Sequence, residues 1–306
     1  MMVRITTLQY FKTSKVKKII LLISLFFSLQ SVSQIAPIGF MRAIEIAGCT
    51  DADATAYITA AGISDPTYEA ALHCFFKGLK DSVALWDSMS TGAAYWLIGG
   101  TEAKVKLNIF DPVDNDANFR LTFVNSPSFT SSGVTLNGSS QYANTHFTPS
   151  AEGLLNSSGH LSYYSTTESQ VASEFCMGAL DGSSRGMSLI IRRTADAAFY
   201  VYPGTTGQVS TSNTTSLGFF VGSRTSTTRA DYYRNGISKA NSTTSVSFTA
   251  TTLPVYIGCV NFSGPTLYTN KTCAFASIGV SLTSNQSRAL NFLVEQLMDA
   301  MGVGVQ

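Results

Sequence analysis

The sequence predicts an all-β protein: a two-sheet antiparallel jelly-roll sandwich with a small N-terminal helical segment and a C-terminal helix. From about residue 103 onward, short runs alternate between apolar and polar residues, and turn residues separate them. Only 13% of the residues are charged, which suits strands and polar turns better than a helical bundle. Asn235-Gly236 lies between two strand-like runs and is a strong β-hairpin signal.

The length and spacing of the candidate strands favour one sandwich over other β-rich folds. The chain has 306 residues, 44% of them hydrophobic, which is enough for a sizeable core. About a dozen strand-like runs follow one another without the long helical crossovers of a parallel sheet. The candidate strands are residues 103–110, 118–124, 141–146, 160–165, 174–179, 187–193, 197–202, 217–223, 231–234, 238–240, 245–249, 254–260 and 273–280.

Helical patterns flank this β-rich region on both sides. Asp65 followed by Pro66 is a helix start, and apolar residues then recur at helical spacing. Near the C-terminus, Thr283 or Ser284 can cap a helix whose apolar side should be buried. That side consists of Leu290, Leu293, Val294 and Leu297. The predicted organisation is a signal peptide (1–33), a linker (34–50), a helical segment (51–100) and a sandwich (101–306) that includes the helix 284–300.

The N-terminus has the pattern of a secretory signal peptide. Basic residues precede an apolar run of residues 19–29, and Ser31-Val32-Ser33 is a small-x-small cleavage site. We expect cleavage between Ser33 and Gln34, as in the signal peptides of Bacteroidetes-type bacteria that this stretch resembles. The run is too short to cross a bilayer as a helix, so no stable membrane span is expected after cleavage. An uncleaved anchor, a buried helix or a later true start are the alternatives.

The charge distribution argues against nucleic acid as a partner. Residues 1–33 hold five of the 20 basic residues and no acidic residue, so the rest of the chain has 15 basic residues against 19 acidic ones, a net charge of −4. Such a chain offers no basic surface for phosphates.

The five cysteines leave their pairing open. They are Cys49, Cys74, Cys176, Cys259 and Cys273, and no C-x-x-C pair indicates a zinc site. An exported chain could form disulfides, for example between Cys259 and Cys273, but buried free thiols fit the pattern equally well.

A resemblance supports the predicted fold. The order of several short motifs from about residue 52 to the end resembles concanavalin A-like (laminin-G-like) phage proteins, described as phage structural or tail-associated. The resemblance implies a jelly roll of the concanavalin A-like lectin/glucanase type, and a virion as an alternative location. In this chain the signal peptide and the non-acidic turn Val280-Ser281 depart from that family. The matching pieces are residues 86, 98–100, 107–108, 111–123, 136–138, 141–145, 160–165, 218–224, 233–236, 256–258 and 273–279.

Hydrolytic catalysis is not indicated by the residues. Glycosidases need two carboxylates at a defined separation, and none of the seven Glu has an acidic neighbour two or four positions away on a predicted strand. No Gly-x-Ser-x-Gly motif accompanies His73, His146 and His160, so core or surface positions are the better interpretation of these histidines. No cofactor is predicted.

Two groups of residues are candidates for binding. Asp111, Asp114 and Asp116 form a dense oxygen cluster that could hold Ca²⁺, although it lacks an EF-hand pattern and a solvated turn is favoured. Tyr202, Arg224, Tyr233 and Arg234 could form a sugar-stacking surface, while core packing is the favoured alternative for each tyrosine.

Three functions fit these patterns. The first is a non-catalytic, secreted or surface-displayed module that binds carbohydrate or a cell surface. The second is a phage or prophage structural component that assembles with itself or with virion partners. The third is a glycoside hydrolase of the same fold.

Overall fold

The computed structural model describes residues 48–154, 157–182, 185–194, 196–200, 208–245 and 250–305. The predicted cleavage site at Ser33 and Gln34 and the candidate ligand residue Tyr202 lie outside these ranges. Within the described ranges, no helix is both long enough and apolar enough to span a membrane.

Two β-sheets and a layer of helices make up the described chain, which confirms the predicted sandwich. The strands of sheet 1 are β1 (Ala93–Trp96), β3 (Ser128–Thr130), β4 (Gly133–Thr135), β6 (Gly159–Ser165), β11 (Gly218–Ser226), β12 (Arg229–Arg234), β13 (Ile237–Ser242) and β17 (Thr272–Gly279). They lie side by side in the order β13-β12-β11-β6-β17-β4-β3, and β1 also pairs with β17.

The strands of sheet 2 are β2 (Thr122–Val124), β5 (Tyr142–Asn144), β7 (Met177–Asp181), β8 (Arg185–Arg193), β9 (Asp196–Tyr200), β10 (Val209–Ser212), β14 (Tyr256–Ile257), β15 (Val260–Asn261) and β16 (Pro265–Thr266). They lie side by side in the order β10-β9-β8-β7-β14-β5-β2, and the short hairpin β15–β16 joins the sheet through a parallel pairing of β15 with β7.

The main core fills the space between the two sheets. Leu161, Tyr163 and Phe220 of sheet 1 pack there with Leu189 and Phe199 of sheet 2. Gly222 on β11 lets the Phe199 ring approach the backbone of sheet 1, because a Cβ at this position would overlap the ring. Strand alternation therefore gives sheet 1 one face for sheet 2 and a second face for the helices.

Helices α1 (Ala52–Ala61), α2 (Pro66–Asp81), α3 (Leu85–Ser90) and α5 (Ser284–Ala300) cover that second face of sheet 1. The short helix α4 (Glu102–Val105) instead buries its Val105 in the main core. Asp65 caps α2 with Pro66 in its first turn, and Thr283 caps α5 in a capping box with Gln286, so both predicted starts are confirmed. Leu290, Leu293, Val294 and Leu297 of α5 are buried, as predicted, in a core shared with α2 and sheet 1.

The predicted hairpin at Asn235-Gly236 is also confirmed. Both residues have positive φ, 52° and 69°, as the tight turn of a two-residue hairpin requires. The turn joins β12 to β13, and the Asn235 side chain accepts a hydrogen bond from Phe219 N–H at 3.0 Å.

Some strands differ from the sequence prediction. Residues 103–110 form α4 and an irregular segment instead of a strand. The apolar side chains of this segment are nevertheless buried. Val105 packs in the core between the sheets, and Leu107 and Ile109 pack in the core between sheet 1 and the helices. Strand β1 was not predicted, because all four of its residues are buried and its sequence does not alternate.

Candidate functional site

The outer face of sheet 2 presents aromatic and polar side chains at the edge near β5 and β14. Ala143 and Ile257 point into the core, so their neighbours Tyr142, Asn144 and Tyr256 point outward. The register sets Asn144 opposite Tyr256 on one side and opposite Thr122 of β2 on the other. Outward side chains from three strands are therefore neighbours.

Three half-buried tyrosines form a cluster on this face, which we call the tyrosine cluster: Tyr142, Tyr256 and Tyr268. The rings of Tyr142 and Tyr256 are stacked, with centroids 4.7 Å apart and planes inclined by 30°. Tyr268 follows the hairpin β15–β16, its ring lies 6.4 Å from that of Tyr142, and its hydroxyl donates to the Pro265 carbonyl at 3.2 Å. Burial raises the pKa of all three hydroxyls, which therefore stay protonated and can donate hydrogen bonds at neutral pH.

Polar side chains border the tyrosine cluster on the β2 side. The Asn144 side-chain oxygen accepts from His146 N–H at 2.9 Å, and the His146 ring Nε2 lies 2.8 Å from the Thr122 hydroxyl. Burial lowers the pKa of His146, so the ring is neutral at pH 7. The arrangement offers flat apolar ring faces beside fixed amide, hydroxyl and imidazole groups.

The aspartates considered for Ca²⁺ are instead bonded to protein donors. Asp114 accepts from Lys106 at 2.6 Å and from Arg120 at 3.1 Å, and Asp116 accepts from Arg120 at 2.9 Å. The hydrogen bond from Lys106 lowers the pKa of Asp114, and that from Arg120 lowers the pKa of Asp116. Asp111 accepts from the Asn118 amide at 2.5 Å. Across the ranges that the structure describes, no group of three or more His, Cys, Asp or Glu side chains is arranged to hold a metal ion.

Arg224, Tyr233 and Arg234 lie on two different faces of sheet 1. Tyr233 points to the helix side and is only 3% exposed, so its ring cannot stack on a ligand at the surface. Arg234 lies on the sandwich side, partly buried, 5.8 Å from the centroid of the Phe220 ring. Arg224 on β11 also faces the sandwich interior. Its partner in the register is Ala230 of β12, four residues before Arg234, so the two arginines are not neighbours. The structure does not join the three into one surface.

His160 and Ser277 lie at the hydrogen-bond distance of a serine-hydrolase pair, but they are not accessible to a substrate. His160 Nε2 lies 2.9 Å from the Ser277 hydroxyl, but both residues are completely buried. The other ring nitrogen, Nδ1, bonds to the Val280 carbonyl at 2.6 Å, so this tautomer carries its proton on Nδ1. Burial lowers the pKa of His160 to about 4. The pair holds β6 and β17 together inside the core and has no access to a substrate.

The cysteines form one disulfide among the described residues, between Cys49 and Cys74. Cys176, Cys259 and Cys273 are buried free thiols, so the structure supports the free-thiol alternative and not a Cys259–Cys273 bond. Burial raises the pKa of Cys176 and Cys259 to about 12, which keeps both thiols protonated and unreactive.

Sequence comparisons give no family for this chain: no protein-family model and no curated protein matches it. Solved structures match at low identity. One is the CBM40 module of the Ruminococcus gnavus IT-sialidase bound to α2,3-sialyllactose, with 13% identity over 51% of this chain and 95% of that one, at a TM-score of 0.40.

Two further solved structures match at similarly low sequence identity. Domain 4 of AbnA, a GH43 extracellular arabinanase from Geobacillus stearothermophilus in complex with arabinotriose, is 17% identical over 65% of this chain and 97% of that one, at a TM-score of 0.40. A Trypanosoma rangeli sialidase is 14% identical over 70% of this chain but only 33% of that one, at a TM-score of 0.48. Similarities this weak concern the fold and carry no information about the ligand.

Proposed function

We propose that this chain is a non-catalytic carbohydrate-binding module, exported to the cell surface or the medium, that holds its ligand on the tyrosine cluster. The observation that carries the proposal is the stacked, half-exposed pair Tyr142–Tyr256 with Tyr268 beside it. The alternating pattern of a strand buries most aromatic side chains of a sandwich, as it does Tyr232 and Tyr233. Aromatic rings left partly exposed on an outer sheet face are therefore a feature to explain.

The chemistry of the tyrosine cluster fits a sugar ring. A pyranose presents one face of C–H groups that packs on an aromatic ring, and hydroxyl groups at its edge that need hydrogen-bond partners. Tyrosine supplies both properties in one side chain. The Asn144 side chain stands next to Tyr256 across the strands, and Thr122 stands next to Asn144 on the far side, so both can supply further polar contacts.

Export has support from two independent features. Residues 1–33 have the basic, apolar and small-residue pattern of a signal peptide. In addition, Cys49 and Cys74 form a disulfide, a bond that persists in oxidising compartments outside the cytosol.

A glycan array followed by isothermal titration of each hit tests the proposal. Tyr256→Ala should weaken binding by about tenfold or more, because stacking area is lost. Tyr68→Ala is the matched control, since Tyr68 is also half-buried but packs on Trp96 in the helix layer. The proposal fails if no glycan binds, or if the two variants weaken binding equally.

The remaining interpretations give different results in the same experiments. A phage or prophage structural component, the role that the resemblance of the sequence implies, would show no glycan binding and would co-purify with virion or appendage proteins. A glycoside hydrolase would release sugar from its ligand.

A further inference from the structure

The tyrosine cluster lies among uncharged side chains. Val124 of β2 is the partner of Tyr142 in the register and faces outward beside it, because the neighbouring Phe123 packs against the main core. Burial raises the pKa of the three tyrosine hydroxyls, with smaller effects from Cys259 and, on the other two, from Tyr142. Among the side chains that the structure describes, no Lys, Arg, Asp or Glu influences the pKa of these hydroxyls. The surface therefore consists of ring faces with neutral hydroxyl edges.

The charged side chains on the β2 side of the cluster compensate one another. Lys106 donates to Asp114 at 2.6 Å. Arg120 donates to Asp114 at 3.1 Å and to Asp116 at 2.9 Å. With Asp111 as a third carboxylate, the segment 106–120 holds two cations and three anions, a net charge of −1. Both cations are already paired, so this segment does not attract an anionic ligand.

Asn144 supplies a hydrogen-bond donor of fixed orientation beside the rings. Its side-chain oxygen accepts from His146 N–H at 2.9 Å, and His146 has a left-handed backbone with φ 56°, which turns this N–H back toward Asn144. Because the oxygen is engaged, the NH₂ group is the free end of the amide, and it has no hydrogen-bond partner among the described residues. Asn144 is half-buried and lies next to Tyr256 across the strands. The amide is therefore available to a ligand that packs on the tyrosines.

We propose that the tyrosine cluster takes a neutral glycan and discriminates against acidic sugars, which carry a carboxylate or a sulfate, and that the Asn144 amide is its fixed hydrogen-bond donor. The inference rests on the proposed function and names the class of ligand for the same site.

Three properties of the surface act against an anion. An aromatic ring carries partial negative charge on its faces, so it attracts cations and repels anions. A carboxylate that leaves water to pack on the rings needs a cation or several donors in compensation, and the cations described on the β2 side are already paired. The net negative charge of the segment 106–120 adds repulsion. A neutral sugar meets none of these costs, and its hydroxyls can accept from the Asn144 amide and exchange hydrogen bonds with the tyrosine hydroxyls.

A glycan array that carries neutral glycans and their acidic counterparts tests the class of ligand. Suitable pairs are cello-oligosaccharides with their C6-oxidised forms, carboxyl-reduced oligogalacturonates with the native ones, and lactose with 3′-sialyllactose. We expect the hits to be neutral, with each acidic counterpart bound about tenfold more weakly or worse in isothermal titration. Hits that are mainly acidic, or acidic counterparts bound as tightly as the neutral glycans, overturn the proposal.

The salt dependence of binding gives a second measurement on the same hits. A neutral ligand forms no ion pair, so its dissociation constant should change by less than about twofold when sodium chloride is raised to about 0.5 M. A steep loss of affinity with salt would mean that an ion pair holds the ligand, which contradicts the proposal.

A cation added beside the rings should change the preference. Val124→Lys places an ammonium group next to Tyr142, and Val124→Gln is the matched control of similar length without the charge. At low salt, Val124→Lys should bind the acidic member of a pair about threefold more tightly than Val124→Gln does. The same affinity in both variants would mean that the ligand does not lie beside Val124, and the site would be wrongly assigned.

Asn144→Ser tests the amide donor. The serine hydroxyl can still accept from His146 N–H and keep the local turn, but the NH₂ group is lost. Binding of a neutral hit should weaken by about fivefold or more, because a sugar hydroxyl loses its donor. Asn241→Ser is the matched control, since Asn241 is exposed on β13 of sheet 1, and it should bind as the wild type does. Wild-type affinity in Asn144→Ser overturns the assignment of this donor.

Failure of this inference can be distinguished from failure of the proposed function. Acidic hits whose binding Tyr256→Ala weakens would overturn the neutral class and leave the carbohydrate-binding module on the tyrosine cluster intact. An array without hits of either class would overturn both.

Discussion

Lys271 donates to the carboxylate of Glu174, and neither side chain is exposed to solvent. Thr269 donates to the other carboxylate oxygen at 2.6 Å, and Lys271 also contacts the Arg192 carbonyl at 3.4 Å. The pair thus joins the start of β17 to the segment before β7, and each charge depends on the other for compensation.

Removing one member of this pair should be costly. Lys271→Met leaves the Glu174 carboxylate buried without its cation and should lower the free energy of unfolding by ~3–5 kcal/mol at neutral pH. The double variant Glu174→Met/Lys271→Met should recover most of that loss, because it removes both buried charges. Urea unfolding of the single and double variants measures the coupling. Losses that simply add would show that the two side chains do not compensate each other.

The same variant should respond to pH in a predictable direction. Burial raises the pKa of Glu174, so in Lys271→Met the native state should hold a proton on this carboxyl more tightly than the unfolded chain does. The destabilisation of Lys271→Met should therefore shrink as the pH falls from 8 toward 5. A loss that grows with acidity in this range would contradict the assignment of the buried charge.

His160 should make the protein less stable in mild acid. Its pKa is about 4 in the folded chain and ordinarily 6.5, so between these values the unfolded state binds more protons than the native state. The stability that the neutral ring contributes is present above pH 6.5 and is lost as the pH falls toward 4, by about 3 kcal/mol in total. In His160→Gln this part of the pH dependence should disappear. Urea unfolding at several pH values measures the free energy of unfolding of the wild type and of the variant. The difference between the two cancels the titration of the other groups.

The docked C-terminal helix gives a third stability prediction. Leu293 is 8% exposed and packs against α2 at Gly78, where a Cβ would overlap the leucine side chain. Leu293→Ala should cost ~2–5 kcal/mol in the free energy of unfolding. Phe292→Ala is the control, because Phe292 is 37% exposed on the same helix, and it should cost much less. Equal and small losses would mean that α5 does not contribute its apolar side to the core.

The sequence predicted the fold better than the site, for physical reasons that particular residues illustrate. Alternation, turn residues and helix caps are local signals, and they located β6, β17, α2 and α5. The tyrosine cluster depends on long-range register: Tyr142, Tyr256 and Tyr268 come from three separate segments. The available signal was Asn144, a polar residue two positions after Tyr142 and therefore on the same side of the strand, with the apolar Ala143 between them on the other side.

Arg224 is a residue whose position the sequence did not reveal. Its charge suggested a surface contact, whereas the alternation of side chains along β11 places it between the sheets, beside Gly159. Tyr233 on the neighbouring strand β12 faces the helices, because it directly follows Tyr232, which faces the space between the sheets. A shift of one residue changes the face of every side chain on a strand, and only the register in the folded sheet decides it.

The last prediction is that the protein releases no sugar from any glycan it binds. Glycoside hydrolysis needs one carboxylic acid that stays protonated near neutral pH and a second carboxylate on the other side of the scissile bond. Glu174 has a raised pKa, but it is completely buried and bonded to Lys271, so no substrate reaches it. Asp116 lies 3.4 Å from His146 beside the tyrosine cluster, but Arg120 lowers its pKa and keeps it ionised, which is the wrong state for a general acid. Reducing-end assays on every array hit should therefore remain at background for the wild type. Sugar release that persists in Tyr256→Ala and disappears in Asp116→Asn would identify a hydrolase and contradict the binding-module proposal.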